Sequence, residues 1–160
     1  MTPGGYNPRE IFAIAKEMEE EGLAFYKAVA RQVTDPDAKA LFLKLASDEV
    51  QHVRDIERLE KRGGDDLPTE EESLVTRYIR SIVDTKVFPP LSEVPKIAAS
   101  AKGLVKAIDF GIGAEKRAMD FYSRAKSESG NAEATETFGR LSTQEEEHLV
   151  MLMKLRTNYE

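Results

Sequence analysis

Cysteine is absent from the 160-residue chain, and histidine occurs only twice. The first absence excludes disulfides, thiolate zinc sites, iron–sulfur clusters and a cysteine nucleophile. Any bound metal must therefore be held by oxygen donors and by the imidazoles of His52 and His148. Long apolar runs are missing as well. No stretch approaches the roughly 20 apolar residues of a membrane-spanning helix, and Met1 to Glu10 lacks the basic-then-apolar order of a secretory leader. Positive charge is in deficit: 23 Lys and Arg stand against 29 Asp and Glu, a formal net charge of −6. A broad basic face for nucleic acid is therefore not expected. These absences point to a single domain over residues 1–160, cytoplasmic, with neither nucleic acid nor membrane as partner.

What is present is helical periodicity. Behind Pro8, the residues Ile11, Phe12, Ala15, Met18, Gly22, Phe25, Tyr26, Val29 and Val33 recur every three or four positions, which predicts a helix over about 8–33. Thr34-Asp35-Pro36-Asp37 offers a capping acceptor followed by proline at a first helical position, so a second helix is expected over 36–62, stopped by Gly63-Gly64. Two further stripes predict helices over 103–127 and 131–157. The first runs through Leu104, Ala107, Ile108, Ile112, Met119, Phe121, Tyr122 and Ala125, the second through Phe138, Leu141, Leu149, Leu152 and Leu155. Between the pairs, residues 63–102 carry one short amphipathic stretch (Leu74, Val75, Tyr78, Ile79, Ile82) and then Pro89, Pro90 and Pro95, which oppose a long helix. Short turns make each pair an antiparallel hairpin, and the long connection is a crossover carrying a short helix. The predicted class is all-α, a four-helix bundle.

The two hairpins are repeats. An offset of 96 residues superposes them without a gap and leaves nine identities over 11–59: Glu19/Glu115, Phe25/Phe121, Tyr26/Tyr122, Ala38/Ala134, Phe42/Phe138, Leu45/Leu141, Glu49/Glu145, His52/His148 and Leu59/Leu155. Four glutamates and both histidines are among them. Each also lies on its helix's apolar stripe, as Glu19 does seven residues from Phe12 and Tyr26, and His148 seven from Leu141 and Leu155. Buried carboxylates that converge repel one another and are very costly unless a cation balances them. Depth agrees: Glu19 and Glu49 average to position 34, inside the first turn, and Glu115 and Glu145 to 130, inside the second. All six therefore meet at one level of the bundle. Two divalent cations balance four carboxylates, and a carboxylate-rich set with two imidazoles suits iron or manganese better than tetrahedral zinc.

One Glu on each of two helices, with Glu-x-x-His on each of the other two, resembles the signature of the ferritin-like di-iron carboxylate superfamily, a known pattern of such bundles rather than a deduction from spacing. The motifs Glu19-x6-Tyr26, Glu49-x-x-His52, Glu115-x6-Tyr122 and Glu145-x-x-His148 are most similar to rubrerythrins, without a rubredoxin domain. This resemblance implies a ferritin-like bundle with two iron ions, manganese or zinc being possible substitutes. It implies Glu19, Glu49, His52, Glu115, Glu145 and His148 as ligands, Glu49 and Glu145 as bridges, and Tyr26 and Tyr122 as donors that orient the carboxylates. The implied activity is redox cycling with hydrogen peroxide or dioxygen, served by a separate electron donor. A ferroxidase role, or a structural metal-binding bundle acting through a partner, is the alternative. Better-known rubrerythrins carry a further glutamate three residues after the third-helix ligand, where this chain has Ala118. A homodimer is expected from the stripe Leu74, Tyr78 and Ile82. Gly111 and Gly113 are costly in a helix, by about 1 kcal/mol each, and serve either close packing or access for a small molecule.

Overall fold

The computed structural model describes residues 8–62, 77, 81 and 88–159. Four long helices dominate: α1 (Pro8–Gln32), α2 (Pro36–Arg62), α4 (Ala101–Glu128) and α5 (Ala132–Thr157), with the single-turn α3 (Val94–Ile97) before the third of these. No strand occurs among the described residues, and no helix among them is long and apolar enough to cross a membrane. Side-chain caps set the helix starts. Asp35 accepts from the amide of Asp37 at 3.0 Å and puts Pro36 in the first turn of α2. Ser100 accepts from Gly103 at 3.0 Å and Asn131 from Ala134 at 3.0 Å. The serine cap explains why α4 begins at Ala101, two residues ahead of the start at 103 that the apolar stripe predicts.

In the crossover, only Arg77 and Ser81 of the expected short helix over 74–82 are described, both helical, and the stripe Leu74, Val75, Tyr78, Ile79 and Ile82 lies outside the described residues. The described part of the connection carries a 3₁₀ turn (Leu91–Glu93) and then α3, which tolerates Pro95 because that residue stands in its first turn. Val94 and Ala98 anchor this segment in the core. Gly103 makes the docking possible: a Cβ there would lie 1.5 Å from the backbone oxygen of Ile97, so no other residue fits. Gly103→Ala is accordingly expected to destabilise the fold by about 1–3 kcal/mol, the usual cost of forcing volume into a packed site. Thermal melts followed by circular dichroism test this; an unchanged midpoint would show that α3 can lift away freely.

Two apolar clusters fix the topology. One gathers Phe25 to Ala30 of α1 and Val33 just past its end, Ala38 to Ala46 of α2, Leu104 to Ile108 of α4 and Leu152 and Leu155 of α5. The other gathers Ile11 to Ala15 of α1, Ile56 and Leu59 of α2, Ala118 to Ala125 of α4 and Ala134 to Leu141 of α5. The end of α1 thus meets the starts of α2 and α4, and the start of α2 meets the end of α5. Each hairpin is antiparallel, α1 runs opposite to α4, and α2 opposite to α5. Because α2 ends in one cluster and α4 begins in the other, the crossover travels the length of the bundle. Tyr159 closes the first end by donating to Asp35 across the α1–α2 turn. The middle of the bundle, between the clusters, is where the glutamates and histidines lie.

Candidate metal centre

The middle layer draws its side chains from all four long helices: Glu19 from α1, Glu49 and His52 from α2, Glu115 from α4, Glu145 and His148 from α5. Each is 1–3% exposed. A carboxylate so far from water is tolerated only beside compensating charge. Here the imidazoles turn the same nitrogen inward. His52 Nδ1 lies 3.2 Å from Glu19 Oε2, 2.8 Å from Glu145 Oε1 and 3.8 Å from Glu49 Oε2. His148 Nδ1 lies 3.4 Å from Glu49 Oε1, 3.5 Å from Glu115 Oε1 and 3.7 Å from Glu145 Oε1. The two rings stack with centroids 5.6 Å apart and planes 22° from parallel.

The polar atoms of this layer outnumber the hydrogen bonds they can make. Glu49 Oε1, Glu115 Oε2, Glu145 Oε1 and His148 Nδ1 are buried without a hydrogen-bond partner. Glu145 Oε1 is among them despite its closeness to His52, so that contact lacks hydrogen-bond alignment and counts as charge attraction only. Orphaned buried acceptors are rare and call for an explanation such as an ion. The surrounding residues supply one: Glu19, Glu49, His52 and Glu145 offer ligand atoms within 4.8 Å of one another, and so do Glu49, Glu115, Glu145 and His148. Glu49 and Glu145 belong to both groups. Four carboxylates and two imidazoles in this arrangement fit a pair of divalent cations with oxygen-rich coordination.

Outside the cluster, Tyr26 OH donates to Glu115 Oε1 at 2.6 Å and Tyr122 OH to Glu19 Oε1 at 2.5 Å. The bonds run between hairpins: each tyrosine serves the glutamate of the other repeat. Helical side chains lean toward their own N-terminus, and α1 opposes α4, so each hydroxyl leans back from its end of the bundle into the middle layer. Burial, then the charge of Glu115, holds the Tyr26 hydroxyl well above its usual pKa; Tyr122 is raised by burial and by Glu145. Both are donors and not bases. Gly111 fits against this arrangement, since a Cβ there would meet Leu152 at 3.0 Å and the Tyr26 ring at 3.3 Å. Of the two roles open for Gly111, close packing is the one realised. Gly111→Ala is expected to push Tyr26 off Glu115 and weaken metal binding by about 10–100-fold, as loss of an outer hydrogen bond to a ligand does; an unchanged binding isotherm would contradict it.

Within the layer, protons on the imidazoles offset carboxylate charge. Burial alone would lower the pKa of His52, but its contacts with Glu145 and Glu49 overcome this and raise it to about 11. His148, against Glu115 and Glu49, is raised in the same way to about 10. Burial and the neighbouring Glu115 and Glu49 push the Glu145 carboxyl well above its normal range. Glu49 is held low by both imidazoles in spite of its burial.

A family model described as Rubrerythrin matches residues 10–156, nearly the whole chain. The chain belongs to the rubrerythrin family. It is thereby a member of the ferritin-like di-iron superfamily, and its helical bundle agrees with that class. No match emerges among curated proteins or among solved structures. Within the rubrerythrin frame, Ala118 is buried in the apolar cluster at the far end of α4 and adds no oxygen to the layer. Its repeat mate, Gly22, is equally small and faces Glu49, whose Oε2 would lie 3.6 Å from an added Cβ.

Two acidic residues of the centre's surroundings escape sequence reasoning. Asp48 Oδ2 accepts from His148 Nε2 at 2.9 Å and from Lys44 Nζ at 2.7 Å. Asp55, one turn beyond His52 and 6% exposed, accepts from Gln51 at 3.1 Å and pairs with Arg140 at 3.3 Å. The i, i+4 spacing of Lys44 and Asp48 was visible, but it reads as a surface ion pair and carries no hint of a histidine on another helix.

Proposed function

We propose that this rubrerythrin-family protein holds two iron ions in the middle layer and uses them to reduce hydrogen peroxide or dioxygen. The observation that carries the reading is the pair of buried Glu₃His groups sharing Glu49 and Glu145, four of whose residues each bury a polar atom without a hydrogen-bond partner. The chemistry supplied by a bound ferrous pair is a two-electron source, enough to take one hydrogen peroxide and two protons to two water molecules. The protein's own residues hold the geometry. Glu19 and His52 would face one ion, Glu115 and His148 the other, and Glu49 and Glu145 would span both and set their separation. Tyr26 and Tyr122 lock one oxygen of Glu115 and of Glu19, so that the free oxygen of each carboxylate keeps a fixed direction. The flanking apolar clusters keep bulk water from the layer. Electrons come from a separate donor, since a chain without cysteine has no rubredoxin-type iron of its own. Manganese or zinc would compete for the same ligands. A cytoplasmic homodimer completes the reading.

The test is anaerobic loading of the metal-free protein with two equivalents of ferrous iron, followed by stopped-flow absorbance against peroxide and against dioxygen. Oxidation much faster with peroxide is the expected result and supports a peroxide reductase. Faster reaction with dioxygen would favour a ferroxidase, and failure to bind two irons would overturn the proposal.

A further inference from the structure

We propose that Asp48 makes the two cation positions unequal, so that the position facing His148 fills first. The inference rests on the dinuclear reading above and concerns what breaks its symmetry. At the 96-residue offset, all six candidate ligands and both tyrosines coincide, yet the residue directly before the Glu-x-x-His glutamate differs: Asp48 in the first repeat, Gln144 in the second. Asp48 serves the histidine of the other hairpin. Its Oδ2 takes the outer nitrogen of His148 at 2.9 Å, and Lys44 holds the same oxygen at 2.7 Å. Gln144, its mate in the repeat, is a neutral amide and has no carboxylate to offer His52.

The chemical consequence follows from how imidazole binds a cation. A carboxylate on the outer nitrogen keeps the proton there, leaves the lone pair on the inner nitrogen, fixes the ring and makes the inner nitrogen a stronger donor. A neutral amide can orient the ring but adds no charge. Of the other differences between the repeats, the buried one that brings a carboxylate close to the layer is Asp55, which stands where the other hairpin has Met151. Its carboxylate is already engaged by Arg140 at 3.3 Å and Gln51 at 3.1 Å, so it does not restore the balance. The group of Glu49, Glu115, Glu145 and His148 is therefore the tighter of the two, and Asp48 is a positioning residue acting through His148.

The experiment is an anaerobic titration of the metal-free protein with cobaltous ion, read by calorimetry and by visible absorbance. Wild type is expected to bind two ions in two resolved steps. Asp48→Asn keeps an oxygen for the His148 N–H and removes the charge; it should weaken the first step about 10–100-fold and leave the second unchanged. His148→Ala should abolish that step and make Asp48→Asn silent, whereas His52→Ala should spare it. The side chain of Asp48 is one-third exposed, so Asp48→Asn is expected to fold, and an unchanged melting temperature of metal-free Asp48→Asn checks that the effect is not a general loosening. Two ions bound with Asp48→Asn affecting neither step, or both alike, overturns the inference alone. Fewer than two ions bound by wild type overturns the dinuclear reading together with it.

Discussion

A protein carrying both Glu49→Ala and Glu145→Ala is expected to bind no divalent cation in the middle layer, while one carrying only Glu19→Ala keeps one. The difference comes from sharing. Glu49 and Glu145 belong to both ligand groups, so the double substitution reduces each group to a Glu and a His. Glu19 belongs to one group only, and its loss leaves Glu49, Glu115, Glu145 and His148 intact. Against the ~10–100-fold loss typical of disturbing an outer hydrogen bond, removal of two directly binding carboxylates should exceed 100-fold at both positions. Metal content after anaerobic loading and desalting reads the result: two ions for wild type, one for Glu19→Ala, none for the double variant. Glu49→Gln with Glu145→Gln, which keeps the packing volume, provides the folded control. Full iron content in the double alanine variant would show that the layer is not the binding site.

Alkaline pH is expected to destabilise the metal-free protein and to strengthen metal binding. His52 and His148 hold their protons with pKa values of about 11 and about 10 in the fold, against 6.5 for a free imidazole. A pKa raised by folding contributes stability that is complete below the unfolded value and drains away as pH climbs to the folded one. The window is therefore from 6.5 up to about 10–11. Glu145, raised from 4.5, acts in the same sense from that pH upward. Glu49, held below 4.5, acts oppositely, and its contribution is lost only as pH falls beneath that value. Between pH 7 and 10 the metal-free melting temperature should thus drop, each ~1 kcal/mol lost lowering it by about 2–4 °C in a chain of this size. Cations compete with those same protons for the ligand atoms. The gap in melting temperature between loaded and metal-free protein should accordingly widen with pH, with a stabilisation of about 4 kcal/mol once free metal exceeds its dissociation constant a thousandfold. A metal-free midpoint that rises with pH would contradict the assignment of protons to the imidazoles.

Much of this centre could be read in the chain because its information is periodic. Glu19 and Glu115 declare themselves by standing seven residues from aromatic neighbours on an apolar stripe, and equal distance from each turn places all six residues at one level. The bundle and its crossover follow from the same stripes and from turn lengths. What periodicity does not carry is the choice of partner across helices. Tyr26 and Tyr122 are visible as aromatics on the stripe, yet that each reaches the other repeat's glutamate depends on the opposed directions of α1 and α4. Asp48 was hidden for a related reason: as one of 29 acidic residues, four positions from a lysine, it has the appearance of a solvated flank. Gly103 likewise shows no sign in one dimension of the backbone that presses on it from α3.

The separation of the core into two apolar clusters with a charged layer between them means that holding the bundle together and carrying its chemistry are assigned to different residues. Cohesion comes from the ends, where Phe25, Phe42 and Ile108 pack at one and Phe121, Phe138 and Ile56 at the other. The layer in between can exchange its protons for cations, or one cation for another, without asking either end to repack. On the proposed function, sequence drift in that layer would change which metal is kept and how readily it gives up electrons, while the scaffold around it stayed the same.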